Sequence, residues 1–187
     1  MKMIRRKMAV VLALTASVAF GLAIQGCGNV REEGKQANCT NNLKMIGQAI
    51  MMYEGDYKSF PEQSGVAGLE KIRSMYLDEP KCFVCPSSGK TPAAPGEKLT
   101  EANCSYIYFG GLTSESFCGL PIVIEKPGNH DPKKIAYLRI DGSVCRPGSK
   151  LGDTAEEIVY SILGKKSGFD QDEMKIVEQA KAWDASH

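Results

Sequence analysis

The chain predicts an α+β fold: an N-terminal amphipathic helix, an antiparallel sheet that the helix packs on, and a C-terminal helical extension. Three observations carry that expectation. Apolar residues recur at helical spacing from Cys39 to Tyr57, short β-rich runs follow between Ser105 and Arg146, and two capped helical patterns close the chain.

The 187 residues open on "MKMIRRK", where Lys2, Arg5, Arg6 and Lys7 precede an uncharged apolar run of 17 residues, Met8 to Ile24. A basic end followed by an apolar stretch is the pattern of an export signal. The run ends in "AIQGCGN", in which Ile24, Gly26 and Cys27 fit a bacterial lipobox and Gln25 departs from it. The expectation is a lipoprotein signal over 1–26, removed ahead of a lipidated Cys27. The alternative is an uncleaved anchor, for which 17 residues sit at the short edge of what spans a bilayer. Both alternatives put the remainder in the cell envelope, facing the periplasm or the cell surface and attached to a membrane.

From Cys27 onward 161 residues remain, enough for one domain with a modest core. That part holds 19 Lys+Arg against 22 Asp+Glu, a net charge of −3. Such a balance gives nucleic acid no electrostatic footprint. Residues 27–37, charged and glycine-containing, predict a short tether. The next 38–149 predict the main domain, and 150–187 a C-terminal helical hairpin.

Within "NCTNNLKMIGQAIMMYEGDY", Cys39, Leu43, Ile46, Ile50, Tyr53 and Tyr57 form one apolar stripe on a helix, with Asn38 or Thr40 available to cap it. "KSFPEQSG" breaks that helix, and "VAGLEKIRSMYL" predicts a second, shorter one ended near Pro80. "PSSGKTPAAPGEK" is loop composition. "SYIYF", "PIVIE", "KIAYLRI" and "SVCR" read as strands, and Asp141-Gly142 between the last two is a two-residue hairpin signal. The helices expected at the end cover Asp153 to Leu163 and Asp170 to Ala185.

Taken in order, "CTNNLKMIGQAIMMYEGDYKSFP", "FVCPSS", "SYIYFGG" and "PIVIEKPGNHDPKKIAYLRIDGSV" resemble the head domain of bacterial pseudopilin-like proteins, relatives of the type II secretion pseudopilins. The resemblance covers roughly Asn38 to Val144. It implies a pilin-like fold with roles in assembly or display, without catalysis, and partners among envelope or secretion-system proteins. The chain departs from that family in two places. The apolar run from Met8 contains no glutamate and ends in the lipobox, and Ser143 stands where the family often has a histidine.

Six cysteines follow Cys27: Cys39, Cys82, Cys85, Cys104, Cys118 and Cys145. An even number in an exported chain favours disulfides, and six allow fifteen pairings. The CxxC of Cys82 and Cys85 admits three uses: a zinc site, redox exchange or disulfide staples. Zinc asks for two more ligands, and the chain offers His130, His187 and other cysteines. Redox exchange asks for a helix behind the motif, which "SSGKTPAAPG" cannot supply, although Pro86 is able to start one. The expectation is therefore that all six are oxidised, with no metal and no cofactor. The resemblance, which places Cys39 and Cys85 together at the helix-to-loop junction, implies that these two pair.

His130 with Asp131 and Asp141 suggests acid–base work only weakly. A histidine in a Pro-Gly-Asn loop reads as a surface residue, and Asp141 is explained by its turn. No nucleophile is recognisably paired with His130, so neither an enzyme nor a small-molecule substrate is expected. A periplasmic thiol–disulfide oxidoreductase using Cys82 and Cys85 is the alternative. In the tail, Ile158, Val159, Ile162 and Leu163 mark one apolar face and Ile176, Val177, Ala180 and Trp183 another. Trp183, the sole tryptophan, sits near a free end, so Trp183, Ile176 and Val177 are expected to dock a partner protein.

Overall fold

The computed structural model describes the backbone of residues 2–164 and 168–187 and the side chains of 30–164 and 168–187. It divides into two units, Met1–Gln36 and Ala37–His187. The first is helical where it is described, as the leading part of α1, Lys2–Tyr57. The tether expected at 27–37 is thus helix. One reason is visible in the sequence: Glu32 and Lys35 carry opposite charges one turn apart, and Lys35 Nζ lies 3.7 Å from Glu32 Oε2. The lipidation expected at Cys27 falls outside the described side chains. Among the described residues no helix is long and apolar enough to cross a membrane.

The second unit is built on a four-stranded antiparallel meander in the order β1-β2-β3-β4. Its strands are β1 Tyr106–Tyr108, β2 Pro121–Glu125, β3 Tyr137–Arg139 and β4 Val144–Cys145. Tyr106 pairs with Glu125, Tyr108 with Val123, and Val123 with Leu138, so these residues share one face. α1 closes on that face with the predicted stripe: Cys39, Leu43, Ile46, Ile50 and Tyr53 are all buried. Tyr57, the last stripe position, is exposed and instead stacks on Tyr53 with ring centroids 4.4 Å apart. α2, Gly65–Tyr76, covers Tyr108.

Every residue of β2 is buried, so the opposite face is covered too. That cover belongs to the tail. α3, Ala155–Leu163, is capped by the Thr154 side chain accepting from Glu157 N, and α4, Gln171–Ser186, starts with a capping box between Asp170 and Glu173. Ile158, Val159, Ile176, Val177 and Ala180 are buried in the same continuous core as the strands. Asp184 on α4 accepts from Ala155 N and Glu156 N, tying the end of one helix to the start of the other. Gln179 holds Gly110 beyond β1 through two hydrogen bonds of 3.0 Å.

Two expectations need correcting here. The tail is not an appendage to a domain over 38–149, because its apolar faces are part of that domain's interior. Ile176 and Val177 are consequently unavailable for docking a partner, and Trp183 is half-buried, its Nε1 3.4 Å from Glu101 Oε2 and its ring stacked on His187. The β3–β4 hairpin also has a three-residue loop instead of two. Arg139 N donates to Ser143 O, and Gly142 takes φ +79° just before it, the left-handed position such loops require.

Candidate functional site

Among the described residues, the helix–sheet interface contains a concentration of chemically potent side chains, built from three separate stretches of chain. Cys39 comes from the buried stripe of α1. Three residues on, Asn42 Nδ2 donates to Val84 O at 3.0 Å and to the Tyr106 hydroxyl at 3.3 Å, which fixes α1 against the CxxC segment. That segment begins as a short 3-10 helix, Pro80–Phe83, capped by Glu79. It then straightens through Val84, and Phe83 O accepts from Ser105 N ahead of β1. Pro86, lacking an N–H, leaves the donor role to Ser87, whose N–H reaches Cys85 Sγ at 3.3 Å. His130 arrives from the turn after β2, held by Asn129 Nδ2 donating to Ser105 O at 2.7 Å.

His130 Nε2 is 3.2 Å from Cys39 Sγ and 3.2 Å from Cys85 Sγ. These three atoms all lie within 4.8 Å of one another, the geometry of a metal-ligand group. Glu125, the last residue of β2, stands beside them. Its Oε2 accepts from Ala136 N at 2.9 Å, whereas the buried Oε1 has no hydrogen-bond partner and lies 3.9 Å from both His130 Nε2 and Arg146 Nη2. Cys39 and Glu125 are 0 % exposed, Cys85 1 % and His130 7 %, so the group is buried between helix and sheet.

The electrostatics are those of two sulfurs sharing one proton. Cys85 is lowered to about 5, first by the hydrogen bond from the Cys39 thiol and then by His130 and the Ser87 N–H, against the effect of burial. Cys39 moves the opposite way, raised by that same hydrogen bond and by burial. Glu125 is pushed up to about 7 by burial, which the Ala136 N–H, His130 and Arg146 only partly offset.

The remaining cysteines stand apart from this centre. Cys82 packs its Sγ 3.6 Å from Met45 Sδ, so the CxxC does not act as a unit. Cys104 is buried with its Sγ 3.6 Å from Tyr106 O, Cys118 is exposed, and Cys145 is half-buried on β4. None of these six cysteines is joined in a disulfide in this structure, and of them Cys39 and Cys85, the pair implied by the resemblance, come together at His130. Asp131 and Asp141 serve their own turns, accepting from Lys133 N and Ser143 N.

Sequence reasoning put His130 on the surface and passed over Glu125. One signal was present. Alternation along "PIVIE" places Glu125 on the same face as Val123, which points a carboxylate inward at the end of an otherwise apolar strand.

Residues 28–78 match a family described as a protein of unknown function (DUF1559). No curated protein and no solved structure matches the chain. The matched stretch runs through the second half of α1 and all of α2, and of the central group it includes Cys39 alone. The chain is therefore similar to that family in its helical layer, while the sheet, Cys85, Glu125 and His130 lie beyond the match.

Proposed function

We propose that this chain is a non-enzymatic, lipid-anchored envelope protein of pseudopilin-like architecture. It works through protein contacts in type II secretion, pilus-like assembly or surface interaction. The observation that carries the reading is the enclosure of the Cys39, Cys85, His130 and Glu125 group between helix and sheet. Catalytic side chains need access to a reacting molecule, and these are buried. The pseudopilin-like order of motifs and the helix-on-meander architecture favour an assembly module, and the lipobox at Cys27 supplies the membrane attachment. A thiol–disulfide oxidoreductase is disfavoured because Cys82 and Cys85 face different partners and neither sits at the start of an α-helix.

The test uses the full chain expressed in a diderm bacterium with labelled palmitate. The parent should incorporate label and fractionate with membranes, and Cys27→Ser should be unlabelled and either soluble or unprocessed. A Cys27→Ser protein processed and membrane-bound like the parent overturns the anchoring. Catalytic reduction of insulin by the detergent-extracted parent overturns the non-enzymatic assignment.

A further inference from the structure

We propose that Cys39, Cys85 and His130 hold a thiophilic divalent metal ion of the zinc class, with Glu125, which lies beside His130 but outside that group, swinging in to supply the fourth ligand. The ion would clamp α1 to the segment before β1 and to the turn after β2. This goes beyond the assembly role and does not depend on how the chain is anchored.

Geometry is the first argument. Zinc bound at about 2.3 Å to sulfur and about 2.0 Å to imidazole nitrogen sets tetrahedral edges near 3.6 Å between sulfur and nitrogen. The two edges here are both 3.2 Å, so each needs to open by only a few tenths of an ångström. The ligand nitrogen is equidistant from the two sulfurs, which a simple thiol–histidine hydrogen bond does not require. The ligand atoms come from positions 39, 85 and 130 on three different stretches, which hydrogen bonds from Asn42, Ser87 and Asn129 hold in place.

Glu125 is the second, independent argument. A buried carboxylate oxygen without a partner is costly, and native interiors rarely leave one. Oε1 lies 3.9 Å from His130 Nε2, about half an ångström beyond the nitrogen-to-oxygen edge expected for a shared zinc ion, but the carboxylate stands outside the group of Cys39, Cys85 and His130 and has to turn toward the sulfurs to ligate. Coordination would give this oxygen the partner it otherwise lacks.

Charge and chemistry agree. Two thiolates, one carboxylate and a neutral imidazole around a divalent cation carry a net −1, and the Arg146 guanidinium 3.9 Å from Oε1 balances it. Binding releases to solvent the remaining thiol proton and any proton held by Glu125, and oxidises nothing. The Ser87 N–H at Cys85 Sγ and the Tyr106 hydroxyl at Cys39 are donors of the kind that support thiolate ligands. Two sulfurs and a nitrogen suit zinc better than calcium or magnesium, which take oxygen. Full enclosure makes the site structural, with no open coordination position.

The competing fate of the same sulfurs is a Cys39–Cys85 disulfide, and one experiment separates the two. The full chain, purified under reducing conditions and dialysed against Zn²⁺, is measured for metal content and titrated with Co²⁺. One zinc per chain and an intense thiolate-to-cobalt charge-transfer band are expected. Both should be lost in Cys39→Ser, Cys85→Ser and His130→Gln and kept in Cys82→Ser. Glu125→Gln should weaken affinity roughly tenfold or more. If the ligand variants fail to fold, the Co²⁺ spectrum of the parent decides by itself. A parent that takes up no zinc and shows no thiolate band overturns the site. So does a chain isolated from cells without metal and carrying a Cys39–Cys85 disulfide peptide.

Discussion

Gly68 of α2 packs closely against the ring of Tyr108 on β1. A Cβ at Gly68 would fall 2.5 Å from Tyr108 Cδ1 and 2.2 Å from the Gln63 carbonyl oxygen, so the contact between helix and sheet exists because residue 68 has no side chain. Tyr108 itself is pinned, its hydroxyl donating to Pro61 O at 2.9 Å.

Gly68→Ala tests that contact. In an exposed helix the change would stabilise by about 1 kcal/mol through propensity. Here the clash with a backbone carbonyl and a buried ring should reverse the sign, for a net loss of about 1–3 kcal/mol in urea unfolding. A stabilised variant would show that α2 does not pack as described.

The tail offers a sharper test. Ile176 is fully buried in the shared core, so Ile176→Ala should cost about 2–5 kcal/mol. Removing residues 150–187 should abolish the cooperative melt, because the face of the sheet that α3 and α4 help enclose would meet water. A truncated chain that melts cooperatively, near the temperature of the parent, would make the tail the dispensable extension that its sequence suggests.

Thiol reactivity should follow burial. With the native reduced chain, a small maleimide should modify Cys118 first and Cys145 next. Cys39, Cys85 and Cys104 should stay unmodified until the protein unfolds. Peptide mapping after timed quenching gives the order, and early labelling of Cys85 would contradict its enclosure.

Acid should weaken one bridge between α2 and the loop that follows it. Burial pushes the Glu70 carboxyl up, but the Arg73 guanidinium, through a hydrogen bond at 2.9 Å, and the Leu99 N–H bring it below its ordinary value of 4.5. A carboxylate depressed by folding contributes stability that is present above its unfolded pKa and lost as pH falls through the folded one. Glu70→Gln should therefore cost about 0.5–1 kcal/mol at pH 7 and lose that difference from the parent progressively as pH falls below 4.5 and through the depressed folded pKa. A difference unchanged between pH 7 and pH 3 would mean that the ionised carboxylate is not what matters.

What the sequence determined by itself is what depends on neighbours along the chain. Periodicity of 3.6 found the buried face of α1, and the capped helical patterns over Asp153 to Leu163 and Asp170 to Ala185 found α3 and α4. Alternation and an Asp-Gly turn found the β3–β4 hairpin, because each of these signals is a local consequence of backbone geometry. The tertiary structure decided everything that depends on which surfaces meet. Ile176 and Val177 have the same apolar pattern whether they cover a partner or their own sheet, and only the packing of α4 shows that the cover is internal. Charged residues at 31–36 read equally as a tether or as exposed helix. Cys39, Cys85 and His130 are separated by 46 and 45 positions, and no local rule relates them. They meet because the stripe of α1 turns Cys39 toward the sheet while the segment before β1 and the turn after β2 end at the same point. The inward carboxylate of Glu125 then acquires its meaning from the two sulfurs and the imidazole around it.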